Sequence, residues 1–206
     1  MNILILGATG RVGSQIVTYA LHDKHHVTVL VRNPEKIQIN NQNLTIIQGN
    51  VLNKDDIVRA MHGIDVVISA LNTDGTTTLS ESMLFIIEAM ENEGIQRIIT
   101  IGTAGILQSR TTPNLLRYQS SESKRKSTRA AEEHHKVYEL LKQSILDWTI
   151  VCPTYLPDGE RVGRYRIERD FLPEGGAEIS VPDTAEFTFK QIEASDYKKS
   201  RVGIAY

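Results

Sequence analysis

One cysteine in 206 residues, Cys152, has nothing to pair with inside the chain, so no internal disulfide holds the fold together. That composition fits a reducing compartment. No apolar run approaches the ~20 residues needed to cross a bilayer. The N-terminus lacks a basic region followed by a cleavage site, so the expectation is a cytoplasmic protein with no secretory signal. The formal net charge is only −2 and the isoelectric point about 6.3. Such a balance creates no global field toward nucleic acid or an anionic membrane, and neither is expected as a partner. No internal repeat or low-complexity tract is present. The length suits one α/β domain over residues 1–206 and is too short for two full ones.

What the chain does contain is alternation. Short apolar runs lie at Ile3–Leu6, Val27–Val31, Leu44–Gln48, Asp65–Ser69, Arg97–Ile101 and Trp148–Val151. Most are rich in Val and Ile and apolar on both faces, as parallel strands covered by helices are. Helix-period segments fall between them at Val12–Leu21, Asp55–Met61, Ser80–Asn92 and Ala130–Gln143, and Gly94 stops the third. This order predicts a doubly wound parallel sheet, a Rossmann-like α/β fold, with ligand bound beyond the C-terminal strand ends where strand order reverses. Two regions break the rhythm. Residues 107–129 are long and polar, and read either as a lid over a ligand or as a solvated, partly helical connection. Their charges (Arg117, Lys124, Arg125, Lys126, Arg129) either attract an anionic substrate or simply face water. Residues 154–206 read as a small substrate-side extension: a loop with Pro157, Pro173, Gly175 and Gly176, an extended piece at Glu178–Val181, a helix from Asp183 to Ala194 and a last strand near Arg201–Ile204.

The densest signal is MNILILGATGRVG, residues 1–13. A buried-type strand breaks into Gly7, Gly10 and Gly13 and then into a helix, the fingerprint of a turn that holds a dinucleotide pyrophosphate. Gly7 permits the sharp turn, Gly10 lets backbone approach the phosphates, and Gly13 lets the helix pack on the strand. The helix N-terminus then offers its N–H groups and positive dipole end to the phosphate charge. NAD-selective versions place a carboxylate roughly 20 residues on, to bind the ribose 2′-hydroxyl. Here the residue past the second strand, 19 after Gly13, is Arg32. A guanidinium cannot accept from hydroxyls but pairs with a 2′-phosphate. The expected cofactor is therefore NADP(H), with Arg11 as a second positive charge.

These motifs carry a resemblance. GATGRVG with VRNPEK, GNV at Gly49–Val51, SALN at Ser69–Asn72, TIGTAG at Thr100–Gly105, ELLKQSILDWTIVCP at Glu139–Pro153 and the ending SDYKKSRVGIAY resemble the atypical short-chain dehydrogenase/reductases. Within them the chain is similar to the group of NmrA-like proteins, bacterial NADH-flavin reductase-like proteins and biliverdin-IXβ reductase (flavin reductase). The resemblance implies that Gly7, Thr9, Gly10, Arg11, Val12 and Gly13 form the pyrophosphate loop and that Arg32 reads the 2′-phosphate. It also implies that Asn50 and Val51 flank the adenine. The group usually has Asp where Asn50 stands; the amide keeps an acceptor oxygen and loses the charge. Ala70 and Leu71 correspond to backbone lining the diphosphate and ribose. Thr103 corresponds to the hydroxyl residue beside the nicotinamide, and Pro153, Thr154 and Tyr155 to the segment covering the nicotinamide amide.

The wider superfamily uses a Tyr-x-x-x-Lys pair, and alignment on LLKQS puts Ala130 at the tyrosine position and His134 at the lysine position. Both groups are absent. Tyr138 and Lys136 lie on other turns or faces and do not replace them. Flavin- and biliverdin-reducing members also lack the pair and resemble this chain in carrying His at that place. Hydride transfer to a conjugated acceptor needs mainly orientation, since the acceptor delocalises the charge. The candidate catalytic residues are Thr103, as a hydrogen-bond donor, His134, as a positioning group on the ribose, and Tyr155, over the substrate face. Plainer readings stand beside these: Thr103 as a strand end, and His134 and His135 as surface residues next to Glu132 and Glu133. Adjacent histidines diverge by about 100° on a helix, so no metal site is expected. Cys152 and Trp148 read as core.

The leading expectation is an NADPH-dependent reductase of a small acceptor such as a flavin or quinone. The alternative is a redox sensor of the NmrA-like kind that binds NADP(H) and acts through a protein partner. A sugar-nucleotide epimerase or dehydratase ranks last, because it depends on the Tyr–Lys pair and a larger C-terminal part.

Overall fold

The computed structural model describes residues 1–123 and 127–206. Lys124, Arg125 and Lys126, three of the charges weighed above, lie outside the described residues, as does part of the 107–129 segment. The chain alternates β1 (Asn2–Leu6), α1 (Arg11–His22), β2 (His26–Val31), β3 (Leu44–Gln48), α2 (Lys54–Met61), β4 (Val66–Ser69), α3 (Thr78–Glu93), β5 (Arg97–Ile101), α4 (Arg129–Gln143) and β6 (Asp147–Pro153). Then follow β7 (Arg166–Arg169), α5 (Val181–Lys190) and β8 (Ser200–Ala205). The strands form one sheet in the order β3-β2-β1-β4-β5-β6-β8-β7, parallel except for the β7–β8 pair. This is the doubly wound α/β fold expected.

The strand residues explain the two layers. Along β1, Ile3 and Ile5 join α1 and α5 in one core, while Leu4 and Leu6 join α2, α3 and α4 in the other. Both sets are fully buried, because successive strand side chains point to opposite faces and both faces are covered. The chain builds outward from β1 through β2 to β3, then returns to β4 on β1's other side and proceeds to β5 and β6. The reversal lies between β1 and β4, which pair from Ile3↔Val66 to Leu6↔Ser69. Gly94, with φ of 71°, ends α3 one residue past its last helical position.

The C-terminal extension departs from expectation in three places. β7 was not legible: its sequence RIER is mostly exposed and holds a single apolar residue, as an edge strand can. Glu178–Val181 is not a strand; only Glu178 bridges Tyr155, and the chain then turns into α5. That helix starts and ends earlier than expected, because Ser180 caps it through the Asp183 N–H, with Pro182 in its first turn.

Residues 107–123 are stapled rather than loose. Gln108 bridges Leu116, the Gln108 N–H donates to the Asp170 carbonyl at 2.8 Å, and Arg110 pairs with Glu168. Between β6 and β7 a strap, residues 154–163, crosses the C-terminal strand ends. Its far end is fixed by Asp183, fully buried, which accepts from the Val162 and Gly163 N–H groups at 2.9 Å each and from the Tyr206 hydroxyl at 2.5 Å. Asp183→Ala leaves those donors unpaired and should cost about 3 kcal/mol, read as a lower urea midpoint. Glu88→Ala, which breaks an ion pair with Lys54 that is about half exposed on both sides, should cost less than about 0.5 kcal/mol in the same assay. Equal effects would refute the anchoring role.

Candidate functional site

Gly7 leaves β1 with φ of 81°. A Cβ there would lie 2.4 Å from the Ala70 carbonyl oxygen at the end of β4, and a Cβ on Gly13 would lie 2.2 Å from the Gly7 carbonyl oxygen. Both exceed what packing can absorb, so the turn is built on close backbone approach. Gly10 is the N-cap of α1, its N–H bonded to the Gly7 carbonyl at 2.9 Å. No side chain caps this helix and no acidic residue stands in its first turn. A helix start of this kind leaves its first N–H groups available to an anion. The cradle therefore fits a dinucleotide pyrophosphate.

Two cavities meet over this turn. The first, about 600 Å³, is lined by Gly7, Thr9, Gly10, Arg32, Asn50, Val51, Ala70 and Leu71, with Asp74 and Glu81 on its wall. The second, about 460 Å³, is lined by Thr9, Gly10, Arg11, Val12, Ala70, Leu71, Thr103, Ala130, His134, Pro153, Thr154 and Leu156. They share Thr9, Gly10, Ala70, Leu71 and Asn72, which makes one groove running across the point where strand order reverses. Gly13 lies beneath the turn and lines neither, in keeping with a packing role.

At the first cavity's end, Arg32 is exposed, and among the described residues no carboxylate pairs with it. The Asn50 side-chain oxygen accepts from the Leu52 N–H at 3.0 Å, so part of its accepting capacity goes to its own turn and its amide N–H₂ remains to donate. Asp74 and Glu81 were not among the expected site residues. Asp74 accepts from the Thr76 hydroxyl, the Thr76 N–H and the Thr78 hydroxyl, which hold its carboxyl below the usual range. Glu81 accepts from Thr77. The run DGTTT just before α3 is helix-start chemistry and could have flagged this wall.

The second cavity brings together Thr103, Ala130 and His134. Thr103 Oγ1 accepts from the Gly105 N–H at 3.4 Å, which leaves its O–H proton to donate. His134 is 9% exposed. Burial pushes its pKa down to about 4 against the opposing charge of Glu133, so the imidazole is neutral at physiological pH. Burial raises the Glu133 carboxyl, but bonds from Lys136 Nζ (2.7 Å) and the Ser80 hydroxyl (2.9 Å) outweigh it and hold the pKa low. Lys136 is thereby committed to Glu133. The Tyr118 hydroxyl bonds His135 Nδ1 at 2.9 Å, and Tyr118 does not line this cavity. Cys152 is buried with its thiol pushed up to about 12 by desolvation, and Trp148 sits in the core edge-on to Tyr138.

Two expectations are corrected. Tyr155 is 61% exposed and lines neither cavity. The strap is extended there, so Thr154 and Leu156 point inward and Tyr155 faces out. Arg11 does not join Arg32: it lines the second cavity, where its guanidinium bonds Asp158 at 2.9 Å and the Leu156 carbonyl at 3.0 Å.

A family model described as NAD(P)H-binding matches residues 7–195. An inferred epimerase of Bacteroides thetaiotaomicron is 31% identical, with a TM-score of 0.85 over 100% of this chain and 96% of that one. An inferred NADH-flavin reductase of Streptococcus pneumoniae is 25% identical, with a TM-score of 0.80 over 100% of this chain and 99% of the other. The uncharacterized protein YwnB of Bacillus subtilis is 27% identical over 98% of this chain and 96% of its own length.

The buried imidazole makes stability depend on pH with a definite sign. The folded pKa of His134, about 4, lies below the unfolded value of 6.5. The unfolded state therefore takes the proton first; the stability is fully present above pH 6.5 and is lost as pH falls toward 4. Between pH 7.5 and 4.5 the unsubstituted chain should lose about 2–3 kcal/mol more than His134→Gln, measured by urea unfolding at both values. A difference below about 0.5 kcal/mol would mean that the imidazole is not held neutral.

Proposed function

The chain belongs to the NAD(P)H-binding family, and from that premise we propose that it is an NADPH-dependent oxidoreductase that passes hydride to a small conjugated acceptor of the flavin or quinone type. The observation that carries this reading is the wall of the second cavity. Ala130 and His134, which the resemblance sets at the places of the phenol and the ammonium, both line it, and the imidazole is neutral. Among the described residues, no side chain on that wall is placed to give a proton to an alkoxide, and its cation, Arg11, is bonded to Asp158. When bound, NADPH would supply a hydride donor. The protein's part is orientation: the glycine turn and helix start hold the pyrophosphate, Arg32 meets the 2′-phosphate, and Thr103 and His134 position the nicotinamide riboside. An acceptor that spreads the incoming charge over a conjugated ring then takes its proton from water. The likeness to an inferred NADH-flavin reductase supports this reading. The likeness to an inferred epimerase does not displace it, since the family resemblance sets Ala130 and His134 where that chemistry has its Tyr–Lys pair.

A second reading is favoured by one fact: the family model describes binding rather than turnover. On that reading the chain is a sensor that responds to NADP(H) through a protein partner. The two separate on loss of reduced-nicotinamide absorbance with NADPH or NADH and either FMN or a simple quinone. Acceptor-dependent oxidation above the enzyme-free rate supports the reductase, whereas confirmed binding with no oxidation selects the sensor. Arg32→Asp should weaken NADPH binding by about 10–100-fold while changing NADH binding far less, as expected for loss of a charge-assisted contact. Equal losses for the two cofactors, measured by titration calorimetry, would remove the 2′-phosphate assignment.

A further inference from the structure

Arg11 follows Gly10 directly and opens α1, so its backbone belongs to the pyrophosphate turn. Its side chain reaches across the groove to the strap, where one guanidinium nitrogen donates to Asp158 Oδ1 at 2.9 Å and to the Leu156 carbonyl at 3.0 Å. The two side chains are 58% and 80% exposed. An ion pair so open to water favours the closed arrangement by roughly fivefold at most. The strap's other end is held differently. Val162 and Gly163 bond the buried Asp183, and Arg161 makes a two-pronged contact with Glu186 at 2.7 and 3.2 Å. Residues 156–160 thus form a tip with a firm root on one side, the exposed Arg11 catch on the other, and one backbone bond between them, from the Val181 N–H to the Pro157 carbonyl at 3.0 Å. Leu156, in that tip, is part of the second cavity's wall.

We propose that Asp158 is a latch on Arg11. It holds the guanidinium against the strap, and a dinucleotide pyrophosphate entering the glycine turn takes Arg11 from it and frees the tip. This rests on the dinucleotide reading of the groove. Carboxylate and phosphate oxygens compete for the same donors. The pyrophosphate brings more charge and sits between protein walls, where attraction is less screened than at the exposed carboxylate. Release moves Leu156, and the acceptor side opens only after the dinucleotide is seated.

Titration calorimetry with NADP⁺ on the unsubstituted chain, Asp158→Asn, Arg11→Gln and the double variant tests the latch. Asp158→Asn should tighten binding about threefold to fivefold. Arg11→Gln should weaken it about tenfold. Adding Asp158→Asn to Arg11→Gln should change affinity less than twofold, because the carboxylate then has no guanidinium to withhold. Hydrogen exchange supplies a readout independent of affinity. NADP⁺ should speed exchange of the Val181 amide, which donates to the Pro157 carbonyl, while the Val162 and Gly163 amides stay protected, and Asp158→Asn should show the faster Val181 amide without ligand. The same effect of Asp158→Asn in both backgrounds, or Val181 exchange that slows on binding, would overturn the latch alone. Failure of the unsubstituted chain to bind NADP⁺ or NADPH would overturn the dinucleotide reading and the latch with it.

Discussion

The close approach of β1 and β4 at Gly7 is the constraint on which the rest of the structure depends. With 2.4 Å between a notional Cβ and the Ala70 carbonyl, that position admits glycine alone. Gly13 repeats the constraint from the helix side, against the carbonyl of Gly7 itself. The two contacts bring the C-terminal ends of two neighbouring strands and one helix start to a single point. Strand order reverses there, so the chain's connections leave in opposite directions and a groove opens between them. Ala70 and Leu71 line both cavities because they are the strand end pressed against the turn.

Burial on both faces of the sheet makes that point rigid. Ile3 and Ile5 on one side of β1, and Leu4 and Leu6 on the other, are inaccessible to solvent and packed into separate cores. Each deeply buried side chain of this size contributes roughly 1.5–3 kcal/mol relative to exposure. A strand anchored on both faces cannot shift register without disrupting its packing in both cores, so the turn that follows it is placed to within the tolerance of the packing. The strap is governed by opposite physics. Its root depends on one buried carboxylate, and its tip on an ion pair in water and single backbone bonds from Ile179 and Val181. Rigid turn and more sparsely bonded strap face one another across the second cavity.

Legibility in the sequence followed this division. The sheet and its reversal were readable because each central strand is a run of Val, Ile and Leu bounded by polar punctuation, and the glycine spacing has one geometric meaning in that context. Arg32 lines the first cavity and Thr103, Ala130 and His134 the second, all on or beside elements with strong periodicity. β7 was illegible, because RIER carries one apolar residue and its pairing is decided by β8, which is distant in sequence. Tyr155 was assigned inward on resemblance alone. The direction of its side chain depends on the extended strap continuing the alternation of β6, a fact of register rather than composition. The partner of Arg11 was illegible for a similar reason: Asp158 lies 147 residues away, and no local pattern joins them.

The second cavity also limits what chemistry the groove can host. A buried histidine can act as an acid only if it carries a proton at working pH, and desolvation removes that proton from His134 until pH falls to about 4. Thr103 can donate a hydrogen bond but is too weak an acid to release a proton. The nearest ammonium on the helix, Lys136, is held by Glu133 at 2.7 Å. Among the described residues, this wall therefore offers Thr103 as a hydrogen-bond donor and Arg11, held by Asp158, as a cation, but no side chain that releases a proton. On the proposed reading, the acceptor itself must disperse the charge that hydride delivers. A neutral imidazole suits that division of labour, since it holds a ribose hydroxyl in place without adding a charge that would change with pH in the physiological range.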